Sequence, residues 1–409
     1  MRTVVPITSQ ELSFVVAPKT IDGRSVLDLS RKLIQIPSVY GKETAIAEFI
    51  HSWMDENGFS PREIDVPEHG PDIVASFGSK SNPKIVLTGH MDTVEVMNGW
   101  QHDPFGAVVE DGLLYGLGSL DMKCGLAAMM LAFRRLAESD LADHAHVCFQ
   151  AVSGEERLGD GTRKLIESGE LDGASAVIVG EGFGGLKVAT IGRRGGSYYD
   201  IDVQGVSSHG AIPHRGVNAI EDASRVITAI SDMPMSKTGG VLSDELRPLS
   251  ESQTVLRISG GSWSLSVPEK CSIRVVRCTI PGGKVDISDE FVSVIDSLGL
   301  KSKVSLRLNT DPKELYYPYM TPPNSPLVQA ASRVLKRIVG TEPTLVCGVS
   351  EADDNLIAHA LKIPTICMGP GETGNLARYH QPEEAISVAQ LGPAANAYYE
   401  LVRELISGS

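Results

Sequence analysis

Three things are missing from this 409-residue chain, and each absence removes a class of function. There is no basic excess: 37 Lys and Arg stand against 51 Asp and Glu, a net charge of −14. Nothing is left over to neutralise phosphates, so neither nucleic acid nor an anionic membrane surface is expected as a partner. There is no run approaching the roughly 18 apolar residues that span a bilayer. There is also no disulfide framework. The six cysteines, at 124, 148, 271, 278, 347 and 367, are scattered through apolar runs and never form Cys-x-x-Cys. They read as reduced, buried thiols of a cytoplasmic protein. Behind Arg2, the residues Gln10, Glu11 and Ser13 interrupt any apolar core, so the first residues do not read as a secretory signal.

What is present is a chain of ordinary globular composition, 42% hydrophobic and 22% charged, too long for one core, so two domains are expected. Residues 1 to about 22 read as an extension on the surface or at a sheet edge. From Ser25 to about residue 192, helical patterns alternate with apolar β-branched runs, such as Ile85–Thr88, His146–Val152 and Ala176–Val179. That alternation predicts an α/β fold with a mostly parallel sheet and helices on both faces. Over 193–311 the pattern changes to half-exposed strands with two helices, a smaller α+β domain. After a Pro-rich stretch the buried α/β pattern returns over 312–409. The first domain, 1–192 plus 312–409, is thus interrupted by the second.

The chemistry-bearing residues follow the predicted strands. His90 and Asp92 close the run Ile85–Thr88, and Asp92 is near enough to hold the His90 ring. Glu155 and Glu156 follow His146–Val152, and Glu181 follows Ala176–Val179. Asp121 opens a helix after a glycine turn, where exposed N–H groups favour an anion. His380 lies beyond the run Thr365–Met368. In an open parallel sheet these ends share one rim, where ligands bind. One Glu after a strand is usually a solvated turn residue, but acids or imidazoles at strand end after strand end are not coincidence. Such a crowd of carboxylates repels itself unless it holds cations. Imidazole with carboxylate suits zinc, and a shared carboxylate suits two metals about 3.5–4 Å apart. Cys124 fits as packing in an apolar helix, and His102, His144, His146 and His214 carry no partner pattern.

Longer motifs carry a resemblance. Gly89-His90-Met91-Asp92-Thr93, Trp100-x-x-Asp103-Pro104-Phe105, Tyr115-Gly116-x-Gly118-x-x-Asp121-Met122-Lys123-x-Gly125 and Gly154-Glu155-Glu156 resemble the co-catalytic zinc amidohydrolases, in order, over nearly the whole chain from about residue 25. That family includes aminoacylases, acetylornithine deacetylase, succinyl-diaminopimelate desuccinylase, glutamate carboxypeptidase and related peptidases. The resemblance implies two zinc ions, with Co2+ or Mn2+ as substitutes. His90 and Glu181 would hold one, Glu156 and His380 the other, and Asp121 would bridge. Glu155 would be the general base, Asp92 would orient His90, and the Asp121–Met122 peptide would be cis. Gly205-Val206-Ser207-Ser208-His209, followed by Pro213, Gly216, Asn218 and Ala219, resembles the family's lid and dimerisation domain. A homodimer is therefore implied, with His209 reaching the partner's active site as an oxyanion donor. Arg277 resembles a grip for a substrate carboxylate, with Asn218 beside it, and Arg194 of the Arg193-Arg194 pair offers a second.

The chain departs from the pattern at Leu265 and at Ser350-Glu351-Ala352, which bears on substrate preference, and also at Glu383. The expectation is an amide hydrolase of small N-acyl amino acids or short peptides with a free carboxylate. The arginine pair tilts it toward a deacylase. An exopeptidase is the alternative, and a non-catalytic binding member of the family is a third.

Overall fold

The computed structural model describes residues 20–243, 246–261, 264–371 and 378–408. Residues 1–19 of the expected N-terminal extension lie outside the described residues. Its end is tied down at Ile21, whose N–H and carbonyl both bond the Asn396 amide on the C-terminal helix.

The larger sheet has eleven strands. In spatial order they run Arg62–Ile64, Asp72–Gly78, His146–Val152, Lys84–His90, Ala174–Val179, Thr365–Cys367, Val188–Arg193, Thr344–Gly348, Lys237–Ser243 and Pro248–Ser250. The short strand Tyr319–Met320 pairs beside Val188–Arg193. Strand Lys84–His90 is parallel to both its neighbours, and the strand Ala174–Val179 is parallel to Thr365–Cys367. These central strands are buried on both faces, which is why their sequences are continuous apolar runs rather than alternating ones.

Helix Lys123–Ala137 lies against one face. Its residues from Lys123 to Phe133 are all buried, and it packs between Gly23–Ile34 and Leu391–Ser407. A helix apolar on all sides belongs in the middle of a core. On the other face Leu165 of helix Asp160–Glu167 and Ile357 of Asp353–Leu361 pack on Val86, Val152, Val177 and Val179. The sheet is thus sandwiched, as the alternation of elements predicts.

The second sheet is smaller and wholly antiparallel: Ser252–Gly260, Lys270–Thr279, Gly195–Gln204 and Lys303–Leu308. Strand Lys270–Thr279 alternates buried and half-exposed residues along its length. Its buried face meets helices Ala219–Ser231 and Ser288–Ser297. One segment departs from the sequence expectation. Residues 237–250 fall inside the span read as the small domain, yet strand Lys237–Ser243 pairs in parallel with Thr344–Gly348 on the edge of the large sheet.

Candidate metal centre

Register places the site. His90 is the last residue of its strand and stands level with Val152 of the parallel neighbour. Beyond Val152 the chain turns at Ser153-Gly154 and starts helix Glu155–Leu158. Gly154 has φ +72, and a Cβ there would come within 2.9 Å of the His69 ring, so only glycine makes this turn without strain. Asp92 caps the new helix: its Oδ1 accepts from the Glu155 N–H at 3.2 Å and its Oδ2 from the Glu156 N–H at 3.1 Å. The same Oδ1 lies 3.6 Å from His90 Nδ1, so one carboxylate ties the imidazole to the two glutamates. Glu181 follows strand Ala174–Val179 by two residues. Asp121 ends a turn whose N–H groups at Gly118, Leu120 and Asp121 all donate to Glu384, and the Asp121–Met122 peptide is cis.

Two groups of donors result. His90, Glu155 and Glu181 each bring an atom within 4.8 Å of the others, and so do Asp121, Glu156 and His380. Asp121 joins them. Its Oδ1 is 3.0 Å from His90 Nε2 and its Oδ2 is 3.2 Å from His380 Nε2. Glu181 Oε1 lies 3.8 Å from His90 Nε2, and Glu156 Oε2 lies 3.1 Å from His380 Nε2.

The electrostatics follow from burying so many acids. Burial pushes the Glu181 carboxyl up to about 8, against the pull of Arg193, and lifts Glu155 well above the usual carboxylate range. For Asp121 burial acts the same way, but hydrogen bonds to His380 and His90 outweigh it and hold the carboxyl below that range. The His90 imidazole is held well above its usual value: burial opposes the charge, and hydrogen bonds to Asp121 and Asp92 win. His380 is raised to about 10 by its bonds to Asp121 and Glu156. Their hydrogen bonds to the carboxylates thus favour positive charge on the two imidazoles. Two nitrogen donors and three carboxylates around a shared aspartate suit a pair of divalent cations, which would take over that role.

The remaining candidates stand elsewhere. His209 is exposed on the small domain, its Nδ1 accepting from the Ala211 N–H at 3.1 Å. Among the described residues none of its hydrogen bonds reaches the donor groups. Leu265, also exposed, holds that loop through its carbonyl, which accepts from the Gly210 N–H. Arg277 is buried and paired with Glu251 at 2.6 Å. Asn218 caps helix Ala219–Ser231, accepting from the N–H groups of Ile220 and Glu221.

The arginine pair needs correcting as a grip for a dicarboxylate. Arg194 donates to the carbonyls of Val349 and Ser250 and to Ser252 Oγ, pinning the crossing between the two sheets. Arg193 is buried against Glu181 and Asp354. Among the described residues both guanidiniums are engaged.

Sequence reasoning gave Glu384 no role, took Arg193 only as half of a cationic grip, and gave His69 no role. The first two had a signal, Glu384 as an acid four residues after His380 and Arg193 as half of a pair. His69, bonded to Glu43 at 3.0 Å beneath Gly154, had none.

The family model described as "Peptidase family M20/M25/M40" matches residues 86–404. A succinyl-diaminopimelate desuccinylase of Magnetococcus marinus is 27% identical over 389 residues, covering 92% of this chain and 97% of its own length. Among solved structures, a tripeptidase of Staphylococcus aureus superposes with a TM-score of 0.76 at 21% identity, covering 96% of this chain and all of that one. A dinuclear metal binding peptidase of Bacillus subtilis gives 0.71 at 16% identity, covering 94% and 98%.

Proposed function

We propose a function from one premise: the chain belongs to peptidase family M20/M25/M40, and is a metal-dependent hydrolase of that family. On our reading it holds two divalent cations, zinc in the first instance, and cleaves the amide bond of a small N-acyl amino acid or short peptide that carries a free carboxylate. The observation that carries this is Asp121, whose two oxygens lie 3.0 and 3.2 Å from imidazoles on opposite sides. A carboxylate shared in this way suits a two-metal site and serves no purpose in a solvated acidic loop.

In this reading His90 and Glu181 would hold one ion and Glu156 and His380 the other, with Asp121 shared between them. When bound, the pair of cations supplies Lewis acidity toward the amide carbonyl and acidifies a water. Glu155 takes the proton from that water as it attacks and returns it to the leaving nitrogen. Asp92 fixes both the His90 ring and the start of the helix bearing Glu155. His209 of a second copy donates to the developing oxyanion, so the working form is a homodimer. Arg277 grips the substrate carboxylate by exchanging it for that of Glu251, with Asn218 beside it.

A deacylase remains the preferred version. With both arginines engaged, the preference now rests on relatives named succinyl-diaminopimelate desuccinylase. The peptidase version is supported by the tripeptidase and aminopeptidase among similar structures. The test is metal analysis with a substrate panel. Protein reconstituted with zinc should carry two ions, lose activity to a chelator and regain it with zinc, and prefer N-succinyl or N-acetyl amino acids to dipeptides. One ion per chain would refute the two-metal site, and faster cleavage of dipeptides would refute the deacylase.

A further inference from the structure

Among the largest fully buried side chains is an arginine, Arg193. A buried guanidinium must have its donors matched, and this one does. Nε donates to both oxygens of Asp354, at 2.6 and 2.8 Å, and Nη1 donates to Ser350 Oγ at 2.9 Å. Nη2 donates to Glu181 Oε2. The Phe183 ring centroid lies 5.0 Å from the guanidinium carbon. Asp354 is held in turn by the Tyr319 hydroxyl, which donates to its Oδ2 at 2.6 Å. Gly348 makes room for the arrangement, since a Cβ there would approach Arg193 Cγ and Nη1 to 3.0 Å. The neighbouring Arg194 is pinned to Ser250 and Val349, so the backbone that carries Arg193 is fixed as well.

The consequence falls on Glu181. Arg193 occupies Oε2, and Oε1 is the atom that lies 3.8 Å from His90 Nε2. We propose that Arg193 is a positioning residue for Glu181: it holds one carboxylate oxygen back and presents the other alone to the cation of the buried group. This rests on the two-metal reading above. A ligand pre-set in one orientation loses less freedom when the ion arrives, and outer partners of this kind commonly decide affinity. Ser350, one of the departures from the family pattern, takes part through its hydroxyl.

The alternative is an ion pair that only stabilises the fold, and site-selective metal binding separates the two. Zinc titration against a competing chelator gives two stepwise dissociation constants for the wild type and for Arg193→Lys, with the visible absorption of cobalt-loaded protein read alongside. Lysine keeps the charge but not the planar fork that spans Asp354 and Glu181. One constant should weaken by about 10–100-fold with a change in the cobalt bands, while the other stays put. The shift should survive in a His380→Ala background and vanish in a His90→Ala background. Two unmoved constants, two that weaken together, or a shift that persists without His90 would overturn the proposal. Should Arg193→Lys fail to fold, Tyr319→Phe loosens Asp354 with Arg193 in place. It should weaken one constant and spare the other, and no shift there overturns the proposal. A wild type that takes up fewer than two ions would sink the two-metal reading instead.

Discussion

The two halves of the donor set are built in opposite ways. His90 and Glu181 come from adjacent parallel strands in the sheet interior, with side chains 1% and 3% exposed, and a second layer of Asp92, Arg193 and Asp354 stands behind them. His380 stands in an irregular stretch after the sheet, at φ +57, with a side chain 47% exposed. Its partners Glu156 and Asp121 are nearly buried, so this half is an open gate with two fixed posts. A buried half must balance its charges inside the protein, because water cannot. An open half can leave that to solvent. The first is therefore expected to be coupled to folding, and the second to be the side on which ions and substrate exchange.

That contrast can be broken in three ways, taken from the largest expected effect down. Glu155 belongs geometrically to the buried group yet is assigned to proton transfer. Glu155→Gln should lower kcat by about 10²–10⁴-fold, the usual share of general acid–base catalysis, while both ions stay bound. Loss of an ion, read by metal analysis, would make Glu155 a ligand and enlarge the buried half. Next, His90→Ala strands Asp121 and Glu181 without their imidazole. In the metal-free protein it should cost about 3–5 kcal/mol of unfolding free energy. His380→Ala removes a half-exposed imidazole from two nearly buried carboxylates and should cost less than His90→Ala. Equal losses in chemical denaturation would erase the distinction between the halves. Smallest, Asn218→Ala lies outside both halves. As a helix cap it should cost about 1 kcal/mol with the metal constants unmoved. A raised KM without loss of stability would instead place Asn218 at the substrate.

Much of this was legible in the residues. A parallel sheet buried on both faces demands continuous apolar strands, and those strands punctuate the sequence so plainly that His90, Glu155, Glu156 and Glu181 can be read off their ends. Strand Lys237–Ser243 was not legible, because Lys-Thr-Gly-Gly-Val-Leu-Ser has neither alternation nor an apolar run. It extends the sheet because Thr344–Gly348 offers it backbone partners on one side and Pro248–Ser250 on the other. The two adjacent arginines could not be told apart either. Successive residues along an extended chain point to opposite sides. Arg193 turns inward to Glu181, and Arg194 turns to the carbonyls of Val349 and Ser250.

What one dimension decides for this protein is chemistry and order: which donor types exist, and that they close successive apolar strands. What three dimensions decide is pairing. That Asp121 lies between two imidazoles, that Asp92 joins its neighbour's ring to a distant helix end, and that Arg193 claims one oxygen of Glu181 depend on residues as much as 259 positions apart. Such contacts follow from strand register and side-chain direction, which the packing of the whole sheet sets and no local pattern records.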